Sequence, residues 1–169
     1  MDLKLDKPIC FFDLETTGVN VSNDRIVEIS VVKINIDKTE DSKTWLINPT
    51  IPIPAKVSVI HGITDEMVKD KPNFSELASE ISEFIKDCHL AGFNSNKFDV
   101  PMLVEEFLRA DFDFDISGIE LIDVQNIFHK MEKRTLSAAY KFYCGKEHEN
   151  AHSSLSDAKA TYEVFKSQL

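Results

Sequence analysis

A mixed five-stranded α/β sheet flanked by helices is the fold class this sequence predicts, and three observations predict it. Three strand-like runs follow one another before residue 48. Two shorter apolar runs come later, and the segments after them carry apolar residues at helical spacing. No internal repeat or low-complexity stretch suggests another architecture. Successive strands favour an antiparallel start, whereas a strand followed by a helix implies a parallel crossover. With 169 residues and 43% hydrophobic content, the chain suits one domain over residues 1–169.

The first run, Ile9 to Glu15, precedes a break at Gly18. The second, Ile26 to Ile36, is rich in Val and Ile and ends at Asp37-Lys38, and the third is Lys43 to Ile47. The loop from Asn48 to Pro54 holds three prolines, which cannot continue a ladder. Phe74, Leu77, Ala78, Ile81, Phe84 and Ile85 then recur at helical spacing, with Asn73 and Glu76 placed as a capping box. His89 to Phe93 reads as a buried strand, and Val100, Leu103, Val104, Phe107 and Leu108 give a second amphipathic helix. Ile119 to Val124 is a further strand, Leu136 to Tyr143 a helix ending at Gly145, and Leu155 to Phe165 a final helix.

No stretch approaches the roughly 20 apolar residues of a membrane helix, and Met1 to Pro8 lacks a signal peptide's apolar centre. The expectation is a soluble cytoplasmic protein without a membrane partner. Cys10, Cys88 and Cys144 are widely spaced and sit among apolar or aromatic neighbours, which fits reduced, largely buried thiols. The net charge of −10 argues against a firm grip on long nucleic acid, since phosphate contacts need clustered Lys and Arg. Lys130, Lys133, Arg134, Lys141 and Lys146 form the only dense positive stretch, either a strand-binding rim or a solvated helix face.

The chemistry sits in the carboxylates. Asp13 and Glu15 are two apart in an otherwise apolar strand, so both leave the same face and repel each other. A hard cation such as Mg²⁺ or Mn²⁺, which selects oxygen ligands, would make the pair tolerable. Asp99 stands between a strand and a helix, where an N-cap is the plain alternative. Asp157 lies in the first turn of the last helix, where it would serve as the acidic half of a cap, and His152 precedes it by five residues.

Taken together, Asp13-x-Glu15 before Thr16-Thr17-Gly18, Asn94 with Phe98-Asp99, and His152 five residues before Asp157 resemble the DEDDh 3′→5′ exonucleases. That family includes the proofreading subunit of bacterial DNA polymerase III and ribonuclease T. Asn48-Pro49 and His61-Gly62-Ile63-Thr64 are similar to its intervening loop, so the likeness spans about residues 9 to 165. The resemblance implies a ribonuclease-H-like fold in which Asp13, Glu15, Asp99 and Asp157 hold two Mg²⁺ or Mn²⁺ ions, with Asp13 shared. It implies in-line attack by a metal-bound water whose proton His152 accepts, an imidazole's reference pKa of about 6.5 suiting that role. It also implies that backbone groups near Thr16 and Thr17, with His61, Asn94 and Phe98, surround the terminal nucleotide of a single-stranded 3′ end. DNA is the preferred strand, with an RNA-trimming exoribonuclease as the alternative, and a polymerase assembly would act in trans. Ser153-Ser154 depart from the Arg or Asn followed by Ala that the family commonly carries after its histidine.

Two other patterns compete. His148-Glu149-Asn150-Ala151-His152 matches a zinc-protease motif, but that mechanism needs both histidines on one continuous helix, and Gly145 and Ser153-Ser154 interrupt it. Asp111-Phe112-Asp113-Phe114-Asp115 imitates the opening of a calcium loop, yet Ile116 and Ile122 stand where Gly and Glu are required. A non-catalytic binding module is the remaining alternative; it has no reason to keep four carboxylates and the histidine together.

Overall fold

β1 (Ile9–Thr16) lies at the centre of the sheet, and the strand order is β3-β2-β1-β4-β5. The computed structural model describes residues 5–132, 134–148, 151 and 153–169. β2 (Ile26–Ile34) and β3 (Glu40–Leu46) extend the sheet antiparallel on one side of β1. β4 (His89–Gly92) and β5 (Leu121–Asp123) extend it parallel on the other, which is the mixed topology the sequence predicts. β2 stops at Ile34, short of the expected Ile36, because a tight turn forms in which Asn35 N–H donates to the Thr39 carbonyl at 2.9 Å.

Two compact units make up the chain, Met1–Gln125 and Asn126–Leu169. The first holds the sheet, two short helices α1 (Ala55–His61) and α2 (Asp65–Val68), and the longer α3 (Phe74–Ile85) and α4 (Asp99–Arg109). α3 opens on the anticipated capping box: Asn73 accepts from Glu76 N–H at 3.1 Å, and the Glu76 carboxylate accepts from Asn73 N–H at 2.8 Å. Ile81 and Ile85 of α3, with Leu103 and Phe107 of α4, pack on Cys10, Phe12, Leu14, Ile29 and Val31. Because side chains alternate along a strand, Phe11, Asp13 and Glu15 leave β1 on the opposite face from that core.

Gly92, where β4 leaves the sheet, has no room for a side chain: an added Cβ would lie 2.7 Å from Ser95 Cβ and 3.0 Å from the Phe12 carbonyl. Gly92→Ala is expected to destabilise the protein by about 1–3 kcal/mol, read from a urea titration with unchanged slope.

α5 (Val124–Met131), which the sequence reading did not anticipate, runs across the division between the units. The second unit also holds α6 (Leu136–Cys144) and α7 (Ser154–Ser167), which pack on each other. Tyr140 of α6 donates its hydroxyl to Glu163 of α7 at 3.1 Å. Cys10 and Cys88 are buried free thiols, while Cys144 is partly exposed. Among the described residues, no helix is long and apolar enough to cross a membrane.

Candidate active site

The C-terminal end of β1 presents Asp13, exposed, and Glu15, partly buried, on one face. Burial raises the Glu15 carboxyl above its ordinary range; His61 opposes that rise, while the charges of Asp13 and Glu28 add to it. Directly after them the chain turns. Thr16 donates to the Gly18 carbonyl at 2.6 Å, and Thr17 donates to Asp24 Oδ1 at 2.9 Å while accepting from Arg25 N–H at 3.0 Å. Both threonine side chains are therefore committed to the turn, and what they leave for a ligand is backbone. A Cβ on Gly18 would meet the Asp24 carboxylate at 2.5 Å, so only glycine lets that brace close.

Behind the turn lies a buried charge network. Glu106 of α4 is 1% exposed. It takes both Nε (2.6 Å) and Nη2 (3.0 Å) of Arg25, plus Nη1 of Arg109 at 3.1 Å. Arg109 also donates to the carbonyls of Asp24 (2.8 Å) and Val21 (2.7 Å), so α4 holds the turn at several points.

The second part of the site is the crossover from β4 to α4. The β1–β4 ladder ends at Phe11↔Ala91. Past it stands Asp99, first residue of α4, whose carboxylate faces the backbone N–H of Leu14 on β1 closely enough for that dipole to favour its charged form. The N-cap position belongs to Phe98, so Asp99 is not the simple cap that the sequence leaves open. Asp99 is 5% exposed. Burial, with the charge of Asp13 next, pushes its carboxyl up to about 6, while its own N–H and that of Leu14 pull the other way. Asn94 adopts a left-handed backbone (φ 62°) and donates its N–H to Asp123 Oδ1 at 3.0 Å. Phe98 is half-buried and packs against the core. His61 ends α1; its Nδ1 accepts from Ile63 N–H at 3.0 Å, which leaves the proton on Nε2, a buried atom with no partner among the described residues.

The raised pKa of Asp99 has a stability consequence. The folded state binds that proton more tightly than the unfolded chain, so without metal its contribution falls as pH rises between the ordinary carboxyl value of 3.8 and about 6. Asp99→Asn is expected to raise the metal-free melting temperature at pH 8 and to leave it unchanged near pH 3.5, as differential scanning fluorimetry would measure.

In the second unit, Asp157 lies in the first turn of α7, its N–H bonded to the Ser153 carbonyl at 2.8 Å. The His148 side chain is 4% exposed and sets Nε2 3.3 Å from Asp157 Oδ1 and 3.2 Å from Ser156 Oγ. α6 ends at Cys144 and α7 begins at Ser154, and the described residues between them are not helical, which removes the zinc-protease reading. His152 lies outside the described residues, as does Lys133 of the basic stretch. Of that stretch, Lys141 pairs with Glu147, and Lys146 pairs with Glu163 at 2.9 Å. Two of its lysines are thus engaged within their own unit.

Among the described residues, no three His, Cys, Asp or Glu side chains are gathered into a metal-holding cluster. Asp13, Glu15 and Asp99 still fit a hard divalent cation by chemistry: all are oxygen donors, and the charge of Asp13 raises the proton affinity of the other two.

A family profile named for ribonuclease T and described as "Exonuclease" matches residues 10–165. The chain belongs to this exonuclease family. The exonuclease domain is 33% identical over 163 residues to the DNA polymerase III subunit epsilon of Buchnera aphidicola subsp. Schizaphis graminum, covering 89% of this chain and 69% of the relative. It is 30% identical over 165 residues to the PolC-type DNA polymerase III of Caldanaerobacter subterraneus subsp. tengcongensis, covering 97% of this chain but only 12% of that polymerase. Its fold is that of E. coli exonuclease I, solved with a dT13 oligonucleotide, at a TM-score of 0.68 and 18% identity over 96% of this chain and 41% of that one. A zinc-bound form of the same enzyme with single-stranded DNA matches equally well, at 0.68 and 19% identity over 96% and 41%.

Within this exonuclease domain the sequence reading singled out Asp13, Glu15 and Asp99, and the charge of Asp13 reaches each of the other two. It did not single out Asp123, Glu106 or Arg25. Asp123 offered one faint signal, an acid ending the apolar run Leu121-Ile122 where a strand gives way to a helix.

Proposed function

We propose that this chain is a divalent-metal-dependent 3′→5′ exonuclease releasing nucleoside 5′-monophosphates from single-stranded ends, with DNA preferred. The observation that carries the reading is the placement of Asp13, Glu15 and Asp99 around the end of the central strand, where the charge of Asp13 disfavours ionisation of both Glu15 and Asp99. When bound there, two Mg²⁺ or Mn²⁺ ions would supply an acidified water and neutralise charge on the phosphate and the departing 3′ oxygen. Asp13, Glu15, Asp99 and Asp157 would be their ligands. His152 would accept the water's proton.

The chain's own groups account for substrate placement. Backbone N–H and carbonyl groups at Thr16 and Thr17, held by the Asp24 brace, would receive the terminal nucleotide. His61 would offer its Nε2–H, which the Ile63 bond fixes in the donor state. Asn94 and the exposed edge of Phe98 would complete the pocket. The engaged lysines and the −10 charge favour delivery of the strand end by a polymerase assembly, in the cytoplasm, over an independent grip on long strands. The likeness to polymerase III relatives supports DNA over the RNA-trimming alternative.

The test is to incubate the protein with matched DNA and RNA oligonucleotides in Mg²⁺, in Mn²⁺ and in EDTA. Metal-dependent mononucleotide release, faster from DNA, is expected. Faster release from RNA would reverse the substrate choice, and no cleavage of either would leave a binding module as the better account.

A further inference from the structure

We propose that Asp123 is a positioning residue for the active site, fixing the 93–98 loop and through it Asn94 and Asp99. The inference rests on the reading of Asp99 as a metal ligand. Register places Asp123 at the last paired position of β5, opposite Gly92, beside the point where β4 leaves the sheet. Its carboxylate belongs to a residue only 5% exposed. A carboxylate is buried at such a place only when donors satisfy it, and here backbone amides do so. Oδ1 accepts from Asn94 N–H at 3.0 Å and Gln125 N–H at 3.0 Å, and Oδ2 accepts from Asn96 N–H at 3.3 Å.

Capping α5 explains the bond from Gln125 and nothing more. The other two reach back 29 and 27 residues to the loop that ends on Asp99. That loop has little slack. Asn94 is in the left-handed region, Lys97 N–H closes on the Asn94 carbonyl at 3.2 Å, and Val100 N–H closes on the Ser95 carbonyl at 2.9 Å. Gly92 has no side chain, and Ser95 fills the space where one would be. Movement at residues 94 and 96 therefore passes through a short hydrogen-bonded path to the first residue of α4. Groups that orient metal ligands from behind typically change metal affinity or activity by roughly 10- to 100-fold when removed.

Asp123→Ala and Asp123→Asn separate the acceptors from the charge, since both lose the charge and only Asn keeps an acceptor oxygen. Three measurements on the full chain decide. These are the Mg²⁺ concentration giving half-maximal cleavage of a single-stranded DNA oligonucleotide, the affinity for Mn²⁺ by calorimetry without nucleic acid, and hydrogen exchange of the 93–98 amides. The expected result for Asp123→Ala is a half-saturating Mg²⁺ concentration and a Mn²⁺ dissociation constant each raised roughly tenfold or more. Exchange in the loop should be faster, and the rate should recover at saturating metal; Asp123→Asn should restore part of each. A purely structural role would lower the melting temperature and the active fraction while leaving half-saturation and Mn²⁺ affinity at parental values, and that outcome overturns the proposal. So would identical behaviour of the two variants. If the parent cleaves nothing, the exonuclease reading fails, while calorimetry and exchange still decide the role of Asp123.

Discussion

Asp13→Asn protein will fold, will melt no lower than the parent in the absence of metal, and will lose cleavage by roughly a thousandfold or more. The size follows from removing a ligand to ions expected to supply several kcal/mol of charge stabilisation in the transition state. The thermal behaviour follows from repulsion. The charge of Asp13 raises the proton affinity of both Glu15 and Asp99, so an amide there relieves the neighbourhood. Steady-state kinetics with a DNA oligonucleotide and a melting curve in EDTA check the two halves separately. A variant that melts far lower would assign Asp13 a structural role and weaken the catalytic one.

Glu106→Ala is expected to produce the largest loss of stability, about 3–5 kcal/mol, because it strands two guanidinium groups against a buried face. Arg25 and Arg109 both depend on this carboxylate, whose side chain is 1% exposed while theirs are 22% and 21% exposed. In urea the midpoint should fall with little change in slope. The Thr17–Asp24 turn should loosen with it, so cleavage should weaken even at temperatures where the variant stays folded. A loss under about 1 kcal/mol would mean that the network behaves like surface ion pairs.

The sheet was legible because its signals are local. β1 alternates along eight residues, and α3 and α4 each carry an apolar stripe ending in Ile85 and Phe107. α5 carries Val124, Ile127, Phe128 and Met131 at helical spacing, but it is only eight residues long and begins where the expected strand ended, so it was not separated from that strand; α1 is seven residues long and buries none of them. Asp13 and Glu15 stood out as charges inside an apolar strand. Asp123 did not, because its meaning lies in amides 27 and 29 residues away, and Arg25 lies 81 residues from Glu106. The calcium-loop imitation proved to be packing: Phe114 stacks on Phe107 at 4.2 Å and Phe112 lies at 5.5 Å, while Asp111, Asp113 and Asp115, which alternate with them, are exposed. His148 was hidden inside a false zinc motif, and only the fold sets it beside Asp157.

The central claim is that the carboxylates at the end of β1 serve metal-dependent removal of nucleotides from a 3′ end. The direct test is a time course in Mg²⁺ with one DNA strand labelled at its 3′ end and the same strand labelled at its 5′ end. The account predicts immediate release of the 3′ label as a mononucleotide, a 5′-labelled ladder that shortens stepwise, and neither in EDTA. Release of the 5′ label first, internal fragments without a ladder, or cleavage that persists in EDTA would contradict it.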